Sequence, residues 1–118
     1  MTFANVNVSQ EQLTLLSRLL LSAFPGCTIH QSRDPVRAMQ HISSGKIDAV
    51  FADVDTCSDW IHKLRQHQSN PSVYLLCRQE RQLPGETGDI QGVITYPITT
   101  HKIQLALQTK AQELREVI

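Results

Sequence analysis

Asp53 is the residue whose position most clearly predicts chemistry. It ends a largely apolar run from Ile47 to Ala52, which is typical of a buried strand. Because an unpaired carboxylate is costly inside a core, we expect Asp53 at the carboxyl end of that strand, with Asp55 just beyond it. Open α/β sheets place their functional groups at this edge. The sequence therefore predicts a functional site around the Asp53 carboxylate.

Strands and helices that can position this site alternate along the whole chain. A capping box at Ser9–Gln12 predicts the start of a first helix, which Pro25-Gly26 ends. Asp34-Pro35 combines an N-cap with a proline at the first helical position and predicts a second helix. The predicted strands are 3–8, 27–30, 47–53, 73–77 and 92–96, and the predicted helices begin near residues 9, 34, 58 and 99.

This alternation predicts a parallel sheet with right-handed crossovers, covered by helices on both faces. Pro84, Gly85 and Gly88 predict that the fourth helix is shortened or irregular. Apolar residues three and four apart form one stripe on a helix, and this stripe faces the core. The predicted inward residues are Leu13, Leu16 and Leu20 in the first helix, Val36, Met39 and Ile42 in the second, and Ile103, Leu107, Leu114 and Ile118 in the last.

Length and composition bound the possible classes of function. The 118 residues suffice for one domain, from 1 to 118, with its own core. The 11 basic and 11 acidic residues give zero formal charge, so we expect neither nucleic-acid nor membrane binding by this domain. No apolar run approaches the ~20 residues of a membrane span, and the N-terminus lacks a signal-peptide pattern. Three separated cysteines without C-x-x-C spacing predict reduced thiols in a cytoplasmic protein.

Two segments carry a family resemblance, the run IDAVFADVD and the closing GVITYPITTHKIQLAL. Both resemble the receiver domains of two-component response regulators, and with the βα order the resemblance covers nearly the whole chain. The short third helix and the letters YPIT are most similar to receivers that precede LytTR-type DNA-binding domains. The resemblance implies a flavodoxin-like (βα)5 fold, a doubly wound parallel sheet of five strands in the order 2-1-3-4-5.

In that family an aspartate at the end of the third strand accepts a phosphoryl group. The resemblance puts Asp53 at this phosphoacceptor position, and Asp55 where a backbone carbonyl completes the shell of a Mg²⁺ ion. It puts Asn7 and Val8 where the family has two acidic residues that hold the metal. Both anionic ligands are therefore replaced, and Asp53, Asn7 and Asp55 remain only as weak candidate ligands.

Two further positions depart from the family's pattern. Cys77 stands where a Ser or Thr contacts the phosphoryl oxygens, and a thiol is a weak donor. Tyr96 stands where a lysine precedes Pro97, so the cation is lost. A charge-assisted contact of that kind is worth roughly 1.5–3 kcal/mol. The peptide before this proline is commonly cis in the family, and we expect a cis Tyr96-Pro97 bond here.

These departures predict a degenerate receiver, a pseudo-receiver that acts as a protein-interaction module of phosphorelay signalling without efficient Mg²⁺-dependent phosphorylation. The lack of a Gly-rich phosphate loop and of a nucleophile elbow argues against nucleotide binding and hydrolase chemistry. For a degenerate receiver we expect no enzymatic activity, no catalytic residue and no cofactor. The expected partner is a protein such as a sensor kinase or an output domain. The alternative is a functional receiver, phosphorylated on Asp53 with Mg²⁺, that regulates an output such as a DNA-binding domain.

The last predicted helix also indicates self-association. Its apolar stripe continues through Leu114 to Ile118, which is longer than a single domain of this size is expected to cover. Exposed apolar stripes of this kind tend to mark interfaces. We therefore expect a symmetric homodimer with Leu107 and Leu114 near the centre of its interface.

Overall fold

The described residues build a parallel sheet that carries helices. The computed structural model describes residues 1–42, 46–54, 72–78 and 92–107. The elements in chain order are β1 (Thr2–Val6), α1 (Gln10–Ala23), β2 (Thr28–Ser32), α2 (Pro35–Ile42), β3 (Ala49–Asp53), β4 (Ser72–Cys77) and β5 (Gly92–Thr95), followed by a helical segment at 100–107.

The five strands lie in the order β2-β1-β3-β4-β5, and every neighbouring pair is parallel. This order confirms the predicted flavodoxin-like, doubly wound sheet. β3 lies between β1 and β4, and all of its residues are buried, as expected for a strand that is covered on both faces. The register pairs Asp53 with Leu76 and Cys77 with Thr95, so the carboxyl ends of β3, β4 and β5 lie side by side.

The sheet separates two apolar clusters, because successive side chains of a strand point to opposite faces. α2 packs on the first cluster through Ala38 and Ile42. α1 and the segment 100–107 pack on the second cluster through Leu16, Leu20 and Ile103, as their apolar spacing predicts. The second cluster also contains the rings of Phe3, Phe51 and Tyr74. The ring centroids of Phe3 and Phe51 are 5.7 Å apart, and those of Phe51 and Tyr74 are 5.3 Å apart.

The start of α1 is only partly the predicted capping box. Ser9 is the N-cap, and its side chain accepts a hydrogen bond from the Gln12 N–H at 3.3 Å. The reciprocal bond is missing, since the Ser9 N–H donates instead to Asn7 Oδ1 at 2.9 Å. Gln12 Oε1 is buried without a hydrogen-bond partner among the described residues. The tight turn after β1 brings the side-chain oxygen of Asn7 to the Ser9 N–H and so connects the start of α1 to the end of β1.

The predicted inward face of α2 is wrong at Val36. Asp34 caps the helix as predicted, because its Oδ1 accepts from the Val36 N–H at 2.9 Å. Val36 itself is 66% exposed, whereas Ala38 and Ile42 are 2% and 1% exposed. The buried stripe therefore runs through Ala38 and Ile42, with Met39 packed beside it. The small side chain of Ala38 carries little hydrophobic signal, so the apolar pattern assigned the first buried position to Val36 instead of Ala38.

Some predictions fall outside the described ranges. They concern Asp55, the short helix near 58–68, the segment 79–91, and the last-helix residues Leu114 and Ile118. In the described part of the chain, no helix has the length and apolar composition needed to cross a membrane.

Candidate functional site

Asp53 is the last residue of β3, at the carboxyl edge of the sheet, where its sequence context predicts it. The residue is 8% exposed and lies between the buried Ala52 and Val54. A carboxylate with so little access to water depends on protein hydrogen-bond donors. The donors that reach Asp53 therefore decide what its oxygens can do.

The hydroxyl of Tyr96 donates a hydrogen bond to Asp53 Oδ1, with an oxygen–oxygen distance of 2.7 Å. Asn7 Nδ2 in turn donates to the Tyr96 hydroxyl oxygen at 3.0 Å. Asn7 is 4% exposed and Tyr96 is half-buried. The phenol thus accepts from an amide and donates to a carboxylate, and linked bonds of this kind polarise one another. We refer to these three side chains as the Asn7–Tyr96–Asp53 chain.

Both ends of the Asn7 amide are engaged. Oδ1 accepts from the Ser9 N–H at 2.9 Å, while Nδ2 donates to Tyr96. Because a backbone N–H can only donate, this contact assigns the oxygen end of the amide. The backbone N–H of Asn7 also donates to the Ser32 carbonyl at 3.2 Å. Asn7 is therefore positioned by β2 on one side and by the start of α1 on the other.

The loop after β5 is held by Lys102, which the sequence pattern did not single out. Its ammonium group donates to the Thr95 carbonyl at 2.9 Å, to Thr95 Oγ1 at 3.2 Å and to the Pro97 carbonyl at 3.0 Å. These acceptors lie on either side of Tyr96 and match the three donors of an ammonium group. The Tyr96 N–H also donates to the Cys77 carbonyl at 3.0 Å. Lys102 and the end of β4 together position the Tyr96 side chain over Asp53.

Lys102 occupies the first turn of the helical segment 100–107, where Thr99 Oγ1 accepts from its backbone N–H at 3.2 Å. A cation in the first turn is unfavourable, because the helix macrodipole is positive at that end. The bonds from the ammonium group to Thr95 and Pro97 turn the charge away from the helix and offset this cost.

The structure also locates the other residues that the sequence predicted for the site. The Tyr96-Pro97 peptide is cis, as expected. Cys77 is 1% exposed and packs in the first core cluster, which leaves its thiol little access to a ligand from solvent. Val8 was expected within the first strand, and this is wrong, because β1 ends at Val6 and Val8 is 58% exposed. The turn made by Asn7 and Ser9 carries Val8 out of the sheet.

Leu107 was predicted both to face the core and to lie near a dimer interface. It is 6% exposed and packs in the second core cluster, so it offers a partner chain very little surface. Leu105, two residues earlier on the same segment, is 51% exposed. The predicted partner of Leu107 in the interface, Leu114, lies outside the described residues.

The described residues do not fit a Mg²⁺ site. Magnesium needs oxygen ligands in octahedral geometry, with carboxylates supplying the negative charge. Among the residues that the structure describes, no three His, Cys, Asp or Glu side chains come together. Asn7 Oδ1 and Asp53 Oδ1 already accept hydrogen bonds from Ser9 and Tyr96. The groups around Asp53 are therefore arranged to hydrogen-bond its carboxylate and not to bind a divalent cation.

Comparisons with known proteins bear on the fold. No protein-family model matches the chain, and no curated protein is significantly similar to it. A CheY-like response regulator receiver domain from Methylobacillus flagellatus superposes with a TM-score of 0.80 at 17% identity, covering 92% of this chain and 97% of that one. The chemotaxis response regulator CheY4 of Vibrio cholerae gives a TM-score of 0.77 at 16% identity, covering 92% and 96%. A putative pilus assembly protein from Burkholderia thailandensis gives 0.72 at 14% identity, covering 95% and 98%.

At sequence identities between 14% and 17%, these structural similarities establish the fold alone. The neighbours are described by different functions, which agrees with the general rule that a fold does not determine an activity. The strand order and the nearly complete coverage of both chains point to the same architecture. This chain has the fold of the CheY-like response regulator receiver domains.

Proposed function

We propose that this domain is a degenerate receiver, a protein-interaction module of two-component signalling that works without efficient phosphorylation of Asp53. Its fold supports the receiver part of the proposal. The observation that carries the degenerate part is the 2.7 Å hydrogen bond from Tyr96 to Asp53 Oδ1. A phosphodonor has to approach the Asp53 carboxylate, and one oxygen of that carboxylate already accepts a hydrogen bond from the Tyr96 phenol.

Phosphoryl transfer to Asp53 lacks electrostatic support at this site. Catalysis of the transfer relies on positioning and on positive charge near the transferring oxygens. The family supplies that charge with Mg²⁺ and a lysine, whereas Asn7 and Tyr96 supply none at the corresponding positions. Breaking the bond between Tyr96 and Asp53 costs about 1.5–3 kcal/mol in addition, because the acceptor is a charged group. Both effects raise the barrier to phosphorylation.

Intact-mass measurement after incubation with acetyl phosphate and Mg²⁺ tests the proposal. We expect no phosphoryl adduct on the parent protein and none on Asp53→Asn. A variant that combines Asn7→Asp, Val8→Asp and Tyr96→Lys provides the positive control, because it restores the family's charges. An adduct on the parent protein that Asp53→Asn abolishes would contradict the proposal.

The alternative function is a phosphoacceptor receiver that is modified on Asp53 and regulates an output such as a DNA-binding domain. It is supported by the position of Asp53 at the carboxyl end of β3. In that function the phosphoryl group displaces the Tyr96 hydroxyl. Tyr96→Phe adds a second comparison, because in the phosphoacceptor function the parent protein already reacts and the loss of the hydroxyl should only speed the reaction. In a degenerate receiver, Tyr96→Phe stays unreactive, since the acidic metal ligands are still missing.

The proposal extends to partners and location. We propose a protein partner such as a sensor kinase or an output domain, without enzymatic activity of the domain itself. We also propose a homodimer through the last helix, which the exposed Leu105 supports. Neither Cys27 nor Cys77 forms a disulfide, and this supports a reducing, cytoplasmic location.

A further inference from the structure

A polar recess lies between the carboxyl end of β2 and one side of α2, outside the Asn7–Tyr96–Asp53 chain. Its volume is about 450 Å³. Sites for small molecules commonly have volumes of about 300–1,000 Å³. The recess is lined by Gln31, Ser32, Arg33, Asp34, Arg37 and His41.

The lining carries more positive than negative charge. It contains two guanidinium groups, on Arg33 and Arg37, and one carboxylate, on Asp34. The carboxylate is already used in the fold, because Asp34 Oδ1 accepts the hydrogen bond from the Val36 N–H. Arg37 and His41 are four residues apart on α2, which brings both side chains to the same side of the helix. The recess therefore favours an anion.

Arg33 is held in place before any ligand binds. Its Nε donates to the Val8 carbonyl at 2.9 Å, and this leaves the donors on its two Nη atoms for another acceptor. Holding a long side chain in advance lowers the entropy that is lost when a ligand binds. Within the described part of the chain, Arg37 has no hydrogen-bond or ion-pair partner.

The recess also has an aromatic side, which is the ring of His41. The His41 ring stacks on His30, with centroids 4.8 Å apart and planes 19° apart. A phosphate ion fills only a small part of about 450 Å³, since one water molecule takes up about 30 Å³. The remaining space can accept an organic group beside the His41 imidazole.

We propose that this recess binds the phosphate group of a small phosphate-bearing ligand. Arg33 and Arg37 hold the phosphate oxygens, because guanidinium groups match phosphate with paired hydrogen bonds. None of the recess residues belongs to the Asn7–Tyr96–Asp53 chain. The proposal therefore stands or falls separately from the proposed function.

Two-dimensional amide NMR of the full chain at constant ionic strength tests this site. The probes are inorganic phosphate and adenosine monophosphate, and adenosine is the uncharged control. We expect saturable shifts of amides in 31–41, with a dissociation constant on the order of 1 mM for at least one phosphate probe. Tighter binding of the nucleotide identifies an organic phosphate as the ligand, and equal binding identifies free phosphate. Shifts that do not saturate, or an equal response to adenosine, would overturn the proposal.

A matched pair of variants locates the contact. Arg37→Gln and Arg18→Gln each remove one positive charge from an exposed helix position, but only Arg37 lines the recess. We expect Arg37→Gln to weaken phosphate binding about tenfold or more and Arg18→Gln to leave it unchanged. Because Arg37 is exposed, the variant should keep the parent spectrum, and Arg37→Lys tests whether charge alone suffices. Equal weakening by Arg37→Gln and Arg18→Gln would show a diffuse charge effect and overturn the site.

Discussion

The hydroxyl of Tyr96 and the carboxylate of Asp53 meet above the carboxyl end of β4, 2.7 Å apart. Asp53 ends β3 and Tyr96 follows β5, so their hydrogen bond joins two strands that are not neighbours in the sheet. In the receiver family, the lysine at the position of Tyr96 contacts a phosphoryl group. The same position here supplies a donor that needs no phosphoryl group, which is the physical basis for proposing a signalling surface independent of phosphorylation.

Removing the Tyr96 hydroxyl tests this bond directly. Tyr96→Phe removes the hydroxyl that donates to the nearly buried Asp53 carboxylate. We expect the free energy of unfolding to fall by about 1–3 kcal/mol, measured by urea denaturation at neutral pH. A Tyr96→Phe variant as stable as the parent protein would contradict the importance of this bond.

A double-mutant cycle isolates the same interaction from other effects. Asp53→Asn and Tyr96→Phe should each destabilise the domain, and the double variant should lose less than the sum of the two. We expect a coupling free energy of about 0.5–3 kcal/mol, as found for residues in contact. Additive losses within about 0.3 kcal/mol would show that the two side chains do not interact in solution.

Restoring the family's charges should restore its ligand binding. The combined variant with Asn7→Asp, Val8→Asp and Tyr96→Lys should bind beryllium fluoride with Mg²⁺, measured by amide NMR. The parent protein should show no change at the same concentrations. The exposed position of Val8 makes its substitution tolerable, whereas Asn7 is 4% exposed, so circular dichroism must first show that the variant is folded. Binding by the parent protein would favour the phosphoacceptor function.

Lys102 is expected to act on the site through the backbone that it holds. Lys102→Met removes three hydrogen bonds around Tyr96, and we expect a stability loss of about 1–3 kcal/mol. The amide signals of Thr95 and Tyr96 should shift as the loop relaxes. Lys46→Met is the control, because Lys46 is an exposed lysine far from this loop in sequence. If both variants have the same stability, Lys102 does not brace the loop.

Self-association through the last helix can be tested by sedimentation velocity. We expect a dimer that Leu114→Glu converts to monomer. Leu107→Glu is unsuitable for this purpose, because Leu107 is 6% exposed and its substitution would disrupt the core. Leu105→Glu changes an exposed position of the same helical segment and reports whether the interface reaches that far. A parent protein that stays monomeric at high micromolar concentration would contradict the dimer.

The sequence by itself determined the order of strands and helices and the place of Asp53. These features depend on local patterns, namely apolar periodicity, the capping residues Ser9 and Asp34, and the proline after β5. Such patterns can be recognised in a single sequence because each involves only a few consecutive residues. They were less reliable where a side chain is small: in α2 the inward positions of Met39 and Ile42 were predicted, but Val36 was chosen in place of Ala38, which gives little hydrophobic signal.

Only the tertiary structure decided what surrounds Asp53. Tyr96 is 43 residues from Asp53 and 89 residues from Asn7, and no local pattern links them. The order of the sheet places the ends of β1, β3 and β5 along one edge, and this brings the three side chains within hydrogen-bond distance. The sequence indicated that a lysine was missing at position 96, but not that a phenol would take hold of the carboxylate. That outcome depends on distances across the sheet edge, which follow from packing of the whole domain.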